Sequence, residues 1–194
     1  MTSVAITGGI GSGKSYVSAL LEERGIPVYN ADNEAKRLMM SNEAIRSGLV
    51  ALLGEEVYNG GELNKPLLAS YLFAGAENAS RVNAIIHPVV KEDLKRWLAG
   101  HSDKEIAAFE SAILFEAGFD DAVDAVLMVS APRELRLERA MKRDNATREQ
   151  IEARMSAQMD EEEKCRRAHF VVYNDGSLPL DEQITSVINQ LKKK

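Results

Sequence analysis

The sequence has little of what stabilises secreted, membrane-bound or metal-rich proteins. It contains one cysteine, Cys165, in 194 residues, which rules out an internal disulfide and a cysteine-rich metal site and is typical of a reducing compartment. No apolar run reaches the roughly 18 residues that a membrane span needs, and the first residues lack the charged-then-apolar order of a signal peptide. We therefore expect a cytoplasmic protein without membrane contact, in which Cys165 is an inert thiol.

An excess of positive charge is absent as well. The chain has 24 Lys and Arg against 30 Asp and Glu, a net charge of -6, so we expect no broad nucleic-acid-binding surface. Hydrophobic residues make up 45% of the chain and charged residues 28%, which is an ordinary balance for a folded globular domain. The length allows one domain with a smaller insertion, and we expect a monomer or a weak homo-oligomer.

The strongest pattern stands near the start of the chain. An apolar run at 4–7 predicts a buried strand, residues 8–15 fit the pattern G-x-x-x-x-G-K-[ST], and apolar residues then recur at helical spacing. Strand, glycine-rich loop and helix together predict a P-loop, whose backbone N–H groups hold the phosphates of a nucleotide. Lys14 would reach the β- and γ-phosphates, and Ser15 would place its hydroxyl on Mg²⁺. The predicted nucleotide contacts here are Gly9, Gly11, Ser12, Gly13, Lys14, Ser15 and Tyr16.

Strand signals return later in the chain, after one long interruption. Short apolar runs predict further strands at 26–29, 106–109, 125–129 and 170–173. Residues 33–100 instead show amphipathic helical spacing, with turn signals at 59–61 and near 75–78 and no strong strand. A helical insertion therefore divides the strand-bearing core.

Beyond the insertion, helices are predicted over 132–143 and from Thr147, which is spaced to form a capping box with Gln150. We predict an α/β fold: a P-loop NTPase-type parallel sheet flanked by helices, with a helical substrate-binding insertion and a helical lid. The predicted parts are a nucleotide-binding core at 1–32 and 105–194, a lid at approximately 139–163 within it, and an acceptor-binding insertion at 33–104.

Asp32 is the first candidate for catalysis outside the loop. It follows the second predicted strand, and ligands of doubly wound sheets collect at the carboxyl ends of strands. Asp32 can orient or deprotonate an attacking hydroxyl there. It can also cap the helix that starts near Asn33, which is a common use of aspartate.

Arginines on one predicted helix are the next candidates. They either grip a polyphosphate or form a solvated helix face paired with Glu134 and Glu138. Arg154 and Gln158 on the following helix can belong to the same mobile cover. The arginines are Arg133, Arg136, Arg139 and Arg143.

Three further features have weaker signals. Residues 174–176 form an Asn-Asp-Gly turn pattern that can also contact a nucleotide base. His87 precedes Pro88 within a helical pattern, where it either marks a kink or contacts a substrate. Glu116 can support a neighbouring active-site group or cap a helix.

The loop alone does not separate GTPases, motors, transporters and small-molecule kinases. Asn64-Lys65 is followed by Pro66 and not by the aspartate that guanine recognition would use, and no Asp-x-x-Gly switch follows a strand. A short strand ending in aspartate, a helical insertion and an arginine-bearing helix together favour a compact kinase.

From end to end, the chain resembles the dephospho-CoA kinase family. The resemblance rests on patterns that occur in the family's order: residues 7–15, Asn30-Ala31-Asp32, Ile86-His87-Pro88, 113–116, 139–144, 154–158 and 174–176. The chain departs from the family pattern at four positions: Tyr16 in place of threonine, Asn30 in place of aspartate, Ala112 in place of proline and Lys65 in place of arginine.

The resemblance implies transfer of the ATP γ-phosphoryl group, with Mg²⁺, to the ribose 3′-hydroxyl of dephospho-coenzyme A. Three sets of residues follow from it. Catalysis would involve Lys14, Asp32 and Arg139; ATP would also be held by Arg139, Arg143 and Asn174; the acceptor would be held by Thr7, Asp32, His87 and Glu116. Two alternatives remain open from the residues alone: a nucleoside or nucleotide monophosphate kinase, and a nucleotide-dependent switch that binds partners through its insertion.

Overall fold

The computed structural model describes residues 1–193. The chain divides into two compact units. One contains Met1–Asn30 and the described residues from Leu98 onward, and the other contains Ala31–Trp97.

The first unit is built on a parallel sheet. Its five strands lie in the order β2-β5-β1-β6-β7, and every neighbouring pair is parallel. A two-residue hairpin, β3 with β4, lies in the second unit. The strands of the described chain are β1 (Thr2–Thr7), β2 (Val28–Asn30), β3 (Tyr58–Asn59), β4 (Glu62–Leu63), β5 (Ile106–Glu110), β6 (Ala125–Ser130) and β7 (Phe170–Tyr173).

Helices account for most of the remaining residues. The helices within residues 1–193 are α1 (Lys14–Glu22), α2 (Ala31–Ser41), α3 (Glu43–Leu53), α4 (Lys65–Phe73), α5 (Ala76–Gly100), α6 (Arg133–Asp144), α7 (Arg148–Ser156), α8 (Glu161–Arg167) and α9 (Leu180–Leu191). The capping box at Thr147 and Gln150 is present at the start of α7. The predicted α/β class, with a parallel sheet flanked by helices, is therefore confirmed.

The predicted second strand begins two residues late. Gly25 has a left-handed backbone (φ 76°) just beyond α1, and the Ile26 N–H donates to the Leu21 carbonyl at 3.0 Å. That bond closes the helix end in a Schellman-type turn and keeps Ile26 out of the sheet. Pro27 has no N–H to donate, although its carbonyl accepts from the Ala108 N–H at 2.8 Å.

One large apolar cluster of the first unit lies between the sheet and helices α1 and α9. Strand β1 is central, and both of its faces are buried, as is usual in a parallel sheet with helices on both sides. The cluster on the α1 and α9 side includes Val4, Ile6, Val17, Leu20, Ile106, Leu127, Ile184 and Val187. Leu137, Ala140 and Ile151 join α6 to α7 in a separate small cluster.

The second unit has its own apolar interior. Its hairpin packs against α2, and the turn of the hairpin at Gly60 and Gly61 has φ values of 58° and 89°, so the predicted turn is confirmed. The buried residues include Leu38, Ile45, Leu49, Val57, Leu68, Val82, Ile86, Val90 and Leu94. Helix α5 continues through Pro88. Within residues 1–193, no helix combines the length and apolar character needed to cross a membrane.

The parallel sheet decides where a ligand can bind. Because its five strands run in one direction, their carboxyl ends and the loops that follow them share one edge. The glycine-rich loop after β1 therefore lies at the same edge as the ends of β5, β6 and β7.

Candidate active site

The glycine-rich loop has the backbone that a phosphate cradle requires. Gly11 and Gly13 have φ values of 78° and 98°, a region that other residues rarely adopt. Gly13 is also the residue preceding α1, and its carbonyl accepts from the N–H groups of Tyr16 and Val17, each at 3.1 Å. The positive end of α1 thus points into the loop, as anion binding requires.

Lys14 lies over its own loop. Its Nζ donates to the carbonyls of Gly8 at 2.9 Å and Gly9 at 3.2 Å. The ammonium group is therefore kept at the mouth of the loop, where a polyphosphate would arrive.

A buried carboxylate adjoins Ser15. Glu110, the last residue of β5, is only 7% exposed. Its Oε1 accepts from the Ser15 hydroxyl at 3.1 Å, and its Oε2 accepts from the Ser18 hydroxyl at 2.8 Å and from Asn30 Nδ2 at 3.1 Å. Glu110 was not among the predicted site residues, although a charged residue directly after the apolar run at 106–109 is a signal that the sequence contains.

The oxygen donors at Ser15 suit Mg²⁺. This ion prefers hard oxygen ligands and usually takes one or two from the protein, with the rest from substrate phosphates and water. The Ser15 hydroxyl and the Glu110 carboxylate match that preference. No cluster of three or more His, Cys, Asp or Glu side chains suited to a metal occurs in residues 1–193, so a metal here would depend on nucleotide oxygens.

Hydrogen bonds link two predicted nucleotide contacts, Asn174 and Arg139, to the glycine-rich loop. Asn174 Nδ2 donates to the Ser12 carbonyl at 2.8 Å, and Arg139 Nη1 donates to the Asn174 carbonyl at 2.9 Å. The Asn174 N–H is itself fixed by the Ser130 carbonyl at 2.8 Å. The end of β7 and helix α6 are thereby joined to the glycine-rich loop.

Arg143 and Arg154 share one carboxylate. Arg143 donates from Nε and Nη2 to the two oxygens of Asp144 at 2.7 and 3.0 Å, and Arg154 Nη1 lies 3.0 Å from Asp144 Oδ2. The hydrogen bond from Arg143 lowers the pKa of Asp144, and the carboxylate in turn raises the pKa of Arg143. Two arginines expected to cover the nucleotide are thus collected at the C-terminal end of α6.

The remaining members of this helix differ from one another. Arg136 is buried, with 9% exposure, and forms an ion pair with Glu161, so the alternative of a solvated face is wrong for this residue. Arg133 is exposed and pairs with Glu134 and Glu152. Gln158 lies beyond α7, and its Oε1 accepts from the Ile10 N–H of the loop at 3.0 Å.

Two predicted acceptor contacts, Thr7 and Glu116, lie in the first unit. Thr7 is completely buried at the end of β1, and its hydroxyl has no hydrogen-bond partner within the described residues. Glu116 accepts from the Met159 N–H at 2.8 Å and pairs with Lys164 at 2.9 Å. Lys164 is 1% exposed and also donates to the Ala112 carbonyl at 2.8 Å. In this structure Glu116 therefore attaches the start of α8 to the segment after β5.

Asp32 and His87 belong to the second unit. Asp32 is exposed in the first turn of α2, two residues after the last residue of β2 in the chain. Because α2 begins at Ala31, Asp32 is a helical residue and not the cap considered from the sequence; its charge still favours the positive end of the helix. His87 is half-buried in α5, and that burial lowers its pKa.

Comparison with known proteins agrees with this arrangement. The family model described as dephospho-CoA kinase matches residues 2–179. The chain is 54% identical to a dephospho-CoA kinase of Bacteroides fragilis strain YCH46, over 98% of this chain and 93% of the relative.

The chain belongs to the dephospho-CoA kinase family. The crystal structure of TT1252 from Thermus thermophilus has a TM-score of 0.85 at 36% identity, over 97% of this chain and 96% of that one. A dephospho-CoA kinase from Campylobacter jejuni has a TM-score of 0.71 at 23% identity, covering 98% and 97% of the two chains, and this match supports the fold alone.

The structure shows where each of the four departures from the dephospho-CoA kinase pattern lies. Tyr16 is 59% exposed on the first turn of α1. Asn30 uses its amide to bind Glu110. Ala112 supplies a backbone carbonyl to Lys164. Lys65 begins α4. The structure gives no reason for the choice of lysine over arginine at that position.

Proposed function

We propose that this chain transfers the γ-phosphoryl group of ATP to the ribose 3′-hydroxyl of dephospho-coenzyme A, giving ADP and coenzyme A. The observation that carries the proposal is the phosphate cradle, with Lys14 and Ser15 at the start of α1, in a chain that matches the family model from residue 2 to 179. The Bacteroides fragilis relative is named a dephospho-CoA kinase, and the loop supports a kinase activity because phosphoryl transfer depends on positioning and on charge stabilisation.

The loop supplies the grip on the nucleotide. Its backbone N–H groups and the α1 dipole would hold the β- and γ-phosphates, while Lys14 would exchange its bonds to the Gly8 and Gly9 carbonyls for phosphate oxygens. Bound Mg²⁺ would neutralise charge that develops on the transferred group. Ser15 would hold the ion, and Glu110 would orient the Ser15 hydroxyl toward it.

Cations from α6 and α7 would complete the nucleotide site. Arg139 is already fixed by the Asn174 carbonyl, which supports a place beside the loop. Arg143 would turn from Asp144 to the phosphates, because a triphosphate is a stronger anionic partner than one carboxylate. We propose that residues 139–163 act as a lid whose closure excludes water.

Asp32 is the residue that we propose acts on the acceptor hydroxyl. Its place in the first turn of α2, two residues after the end of β2, and its exposure suit a carboxylate that orients the ribose hydroxyl or takes its proton. His87, Thr7 and Glu116 are proposed to bind or shape the acceptor site, and residues 33–104 to form the acceptor-binding insertion. We also propose that the enzyme acts in the cytoplasm.

The test is an assay of ADP release with Mg·ATP and a panel of acceptors: dephospho-coenzyme A, adenosine, AMP, CMP and none. We expect only dephospho-coenzyme A to drive turnover, and the Asp32→Asn variant to lose that turnover while still binding ATP. Turnover with a nucleotide acceptor would reassign the substrate. ADP release that does not depend on any acceptor would indicate a switch or an ATPase.

A further inference from the structure

Arg136 is a buried cation that the proposed reaction does not use. It is 9% exposed on α6, and its Nε donates to the Ala131 carbonyl at 3.0 Å. Its side chain occupies the space beside Gly9, since a β-carbon at Gly9 would overlap Nη1 of Arg136. Its backbone lies as close to the next part of the loop, because a β-carbon at Gly11 would overlap the Arg136 carbonyl.

Glu161 keeps this arginine in place. Its Oε2 is 2.5 Å from Arg136 Nη2 as an ion pair, although the two groups are not aligned as a hydrogen bond. The other oxygen, Oε1, accepts from the Ser130 hydroxyl at 2.8 Å and lies 3.4 Å from the Ala131 N–H. Glu161 is the first residue of α8, so the pair connects α8 to the loop through Arg136.

The pair is too enclosed to be an ordinary surface salt bridge. The side chains of Arg136 and Glu161 are 11% and 19% exposed. A buried pair adds little net stability over apolar side chains, but losing one partner leaves an uncompensated charge. Its value therefore lies in what it positions, and the loop backbone lies against Arg136 at Gly9 and Gly11.

We propose that Arg136, held by Glu161, is a positioning residue that fixes the shape of the phosphate loop at Gly9 and Gly11. The planar guanidinium fills the space that the missing Gly9 side chain leaves, so the loop backbone cannot relax toward α6. The inference rests on the proposed function, because it assumes that this loop binds Mg·ATP.

The decisive experiment is a double-mutant cycle between Gly9 and Arg136, read as the dissociation constant for Mg·ATP by titration calorimetry. Gly9 is outside the left-handed region, so alanine is conformationally permitted there. Because Arg136 is fixed by Ala131 and Glu161, we expect Gly9→Ala to weaken binding about tenfold or more in the wild-type background, and by about threefold or less in an Arg136→Ala background.

Gly11 supplies the matched control. Its overlap is with the backbone of Arg136 and its φ is 78°, so Arg136→Ala should not rescue Gly11→Ala. If Gly9→Ala binds Mg·ATP as wild type does, the guanidinium moves aside freely and the proposal is overturned. Equal losses from Gly9→Ala in both backgrounds would overturn it as well.

Glu161→Gln tests the second half of the pair. We expect it to raise the KM for ATP by about threefold to tenfold with kcat less affected. A loop that is less firmly positioned binds the phosphates more weakly, whereas the transfer step that follows binding is changed less. Asp120→Asn is the control, because Asp120 pairs with Arg167 of the same helix α8 at 2.8 Å; it should leave both constants unchanged. Thermal unfolding of every variant separates loss of fold from loss of loop shape.

The experiments distinguish failure of the proposed function from failure of the positioning role of Arg136. If wild type binds Mg·ATP but phosphorylates no dephospho-coenzyme A, the acceptor assignment fails while the binding cycle still decides the role of Arg136. If the cycle shows no coupling while turnover is normal, only the positioning role fails.

Discussion

Replacing Glu110 with glutamine is the most informative single change in the site. The carboxylate is 7% exposed and accepts from Ser15, Ser18 and Asn30. Glutamine keeps the shape of the side chain and one acceptor oxygen, so an oriented amide retains the two bonds at Oε2, and the Ser15 hydroxyl can turn to accept from its NH₂ group. Hydrogen bonds to a charged group contribute about 1.5 to 3 kcal/mol each, against about 1 kcal/mol for neutral pairs.

The stability cost of this change is therefore about 2 kcal/mol. At this chain length that corresponds to a fall in Tm of roughly 4 to 8 °C. The effect on turnover should be larger, because the Ser15 hydroxyl loses its negatively charged partner at the metal-binding position. We expect kcat to fall about 100-fold, or about 2.7 kcal/mol of transition-state stabilisation, with a higher Mg²⁺ concentration needed for half-maximal rate.

Ser18→Ala is the matched control for this experiment. It removes the 2.8 Å bond to the same carboxylate but leaves Ser15 in contact with Glu110. We expect a comparable fall in Tm with kcat within about threefold of wild type. The assay is coupled ADP release across a Mg²⁺ series, with calorimetric Tm values for each protein. Wild-type turnover and Mg²⁺ dependence in Glu110→Gln would refute the assignment of Glu110 to the metal-binding position.

Three further outcomes are expected. Lys14→Ala should lower kcat/KM by about three orders of magnitude or more in the ADP-release assay, and near-normal turnover would contradict the phosphate-cradle interpretation. The pKa of Asp144 is lowered, first by its hydrogen bond from Arg143. The ionised Asp144 therefore stabilises the fold above about pH 4, and this stabilisation is lost as the pH falls through the pKa of the folded state. The Tm difference between wild type and Asp144→Asn should be constant at neutral pH and vanish in acid. Lys164→Met should lower the free energy of unfolding by about 1 to 3 kcal/mol, measured by urea denaturation, because the Ala112 carbonyl and Glu116 both lose the buried ammonium group that they bind. An unchanged urea midpoint would contradict a structural role for Lys164.

The sequence was most informative where a local rule governs local structure. The loop between β1 and α1, the capping box at Thr147 and the turn at Gly60 each depend on a few neighbouring residues, and all were predicted. The start of β2 was missed because a hydrogen bond from Ile26 to Leu21 kept an apolar residue in the helix end, and apolar character alone does not reveal that competition.

Contacts between distant parts of the chain could not be predicted in the same way. Helical spacing placed Arg136 beside other arginines, but its burial depends on Glu161 and on glycines without side chains. Glu116 is of a residue type that often binds ligands, but its ion pair with Lys164 joins residues far apart in the chain and could not be predicted from local sequence. The roles of Asp32 and His87 remain predictions that the acceptor assays address.

The central position of β1 has a consequence for the order in which the enzyme forms. Both neighbours of this strand come from much later in the chain, since Val4 is paired with Ala108 of β5 and with Ala125 of β6. A growing chain that ends before residue 105 has no strand on either side of β1, although it contains every residue of the second unit, Ala31–Trp97. Domains fold as units during synthesis, and non-local pairings are slow. We therefore expect the nucleotide loop, although the ribosome makes it first, to acquire its structure only after the strands on both sides of β1 have emerged.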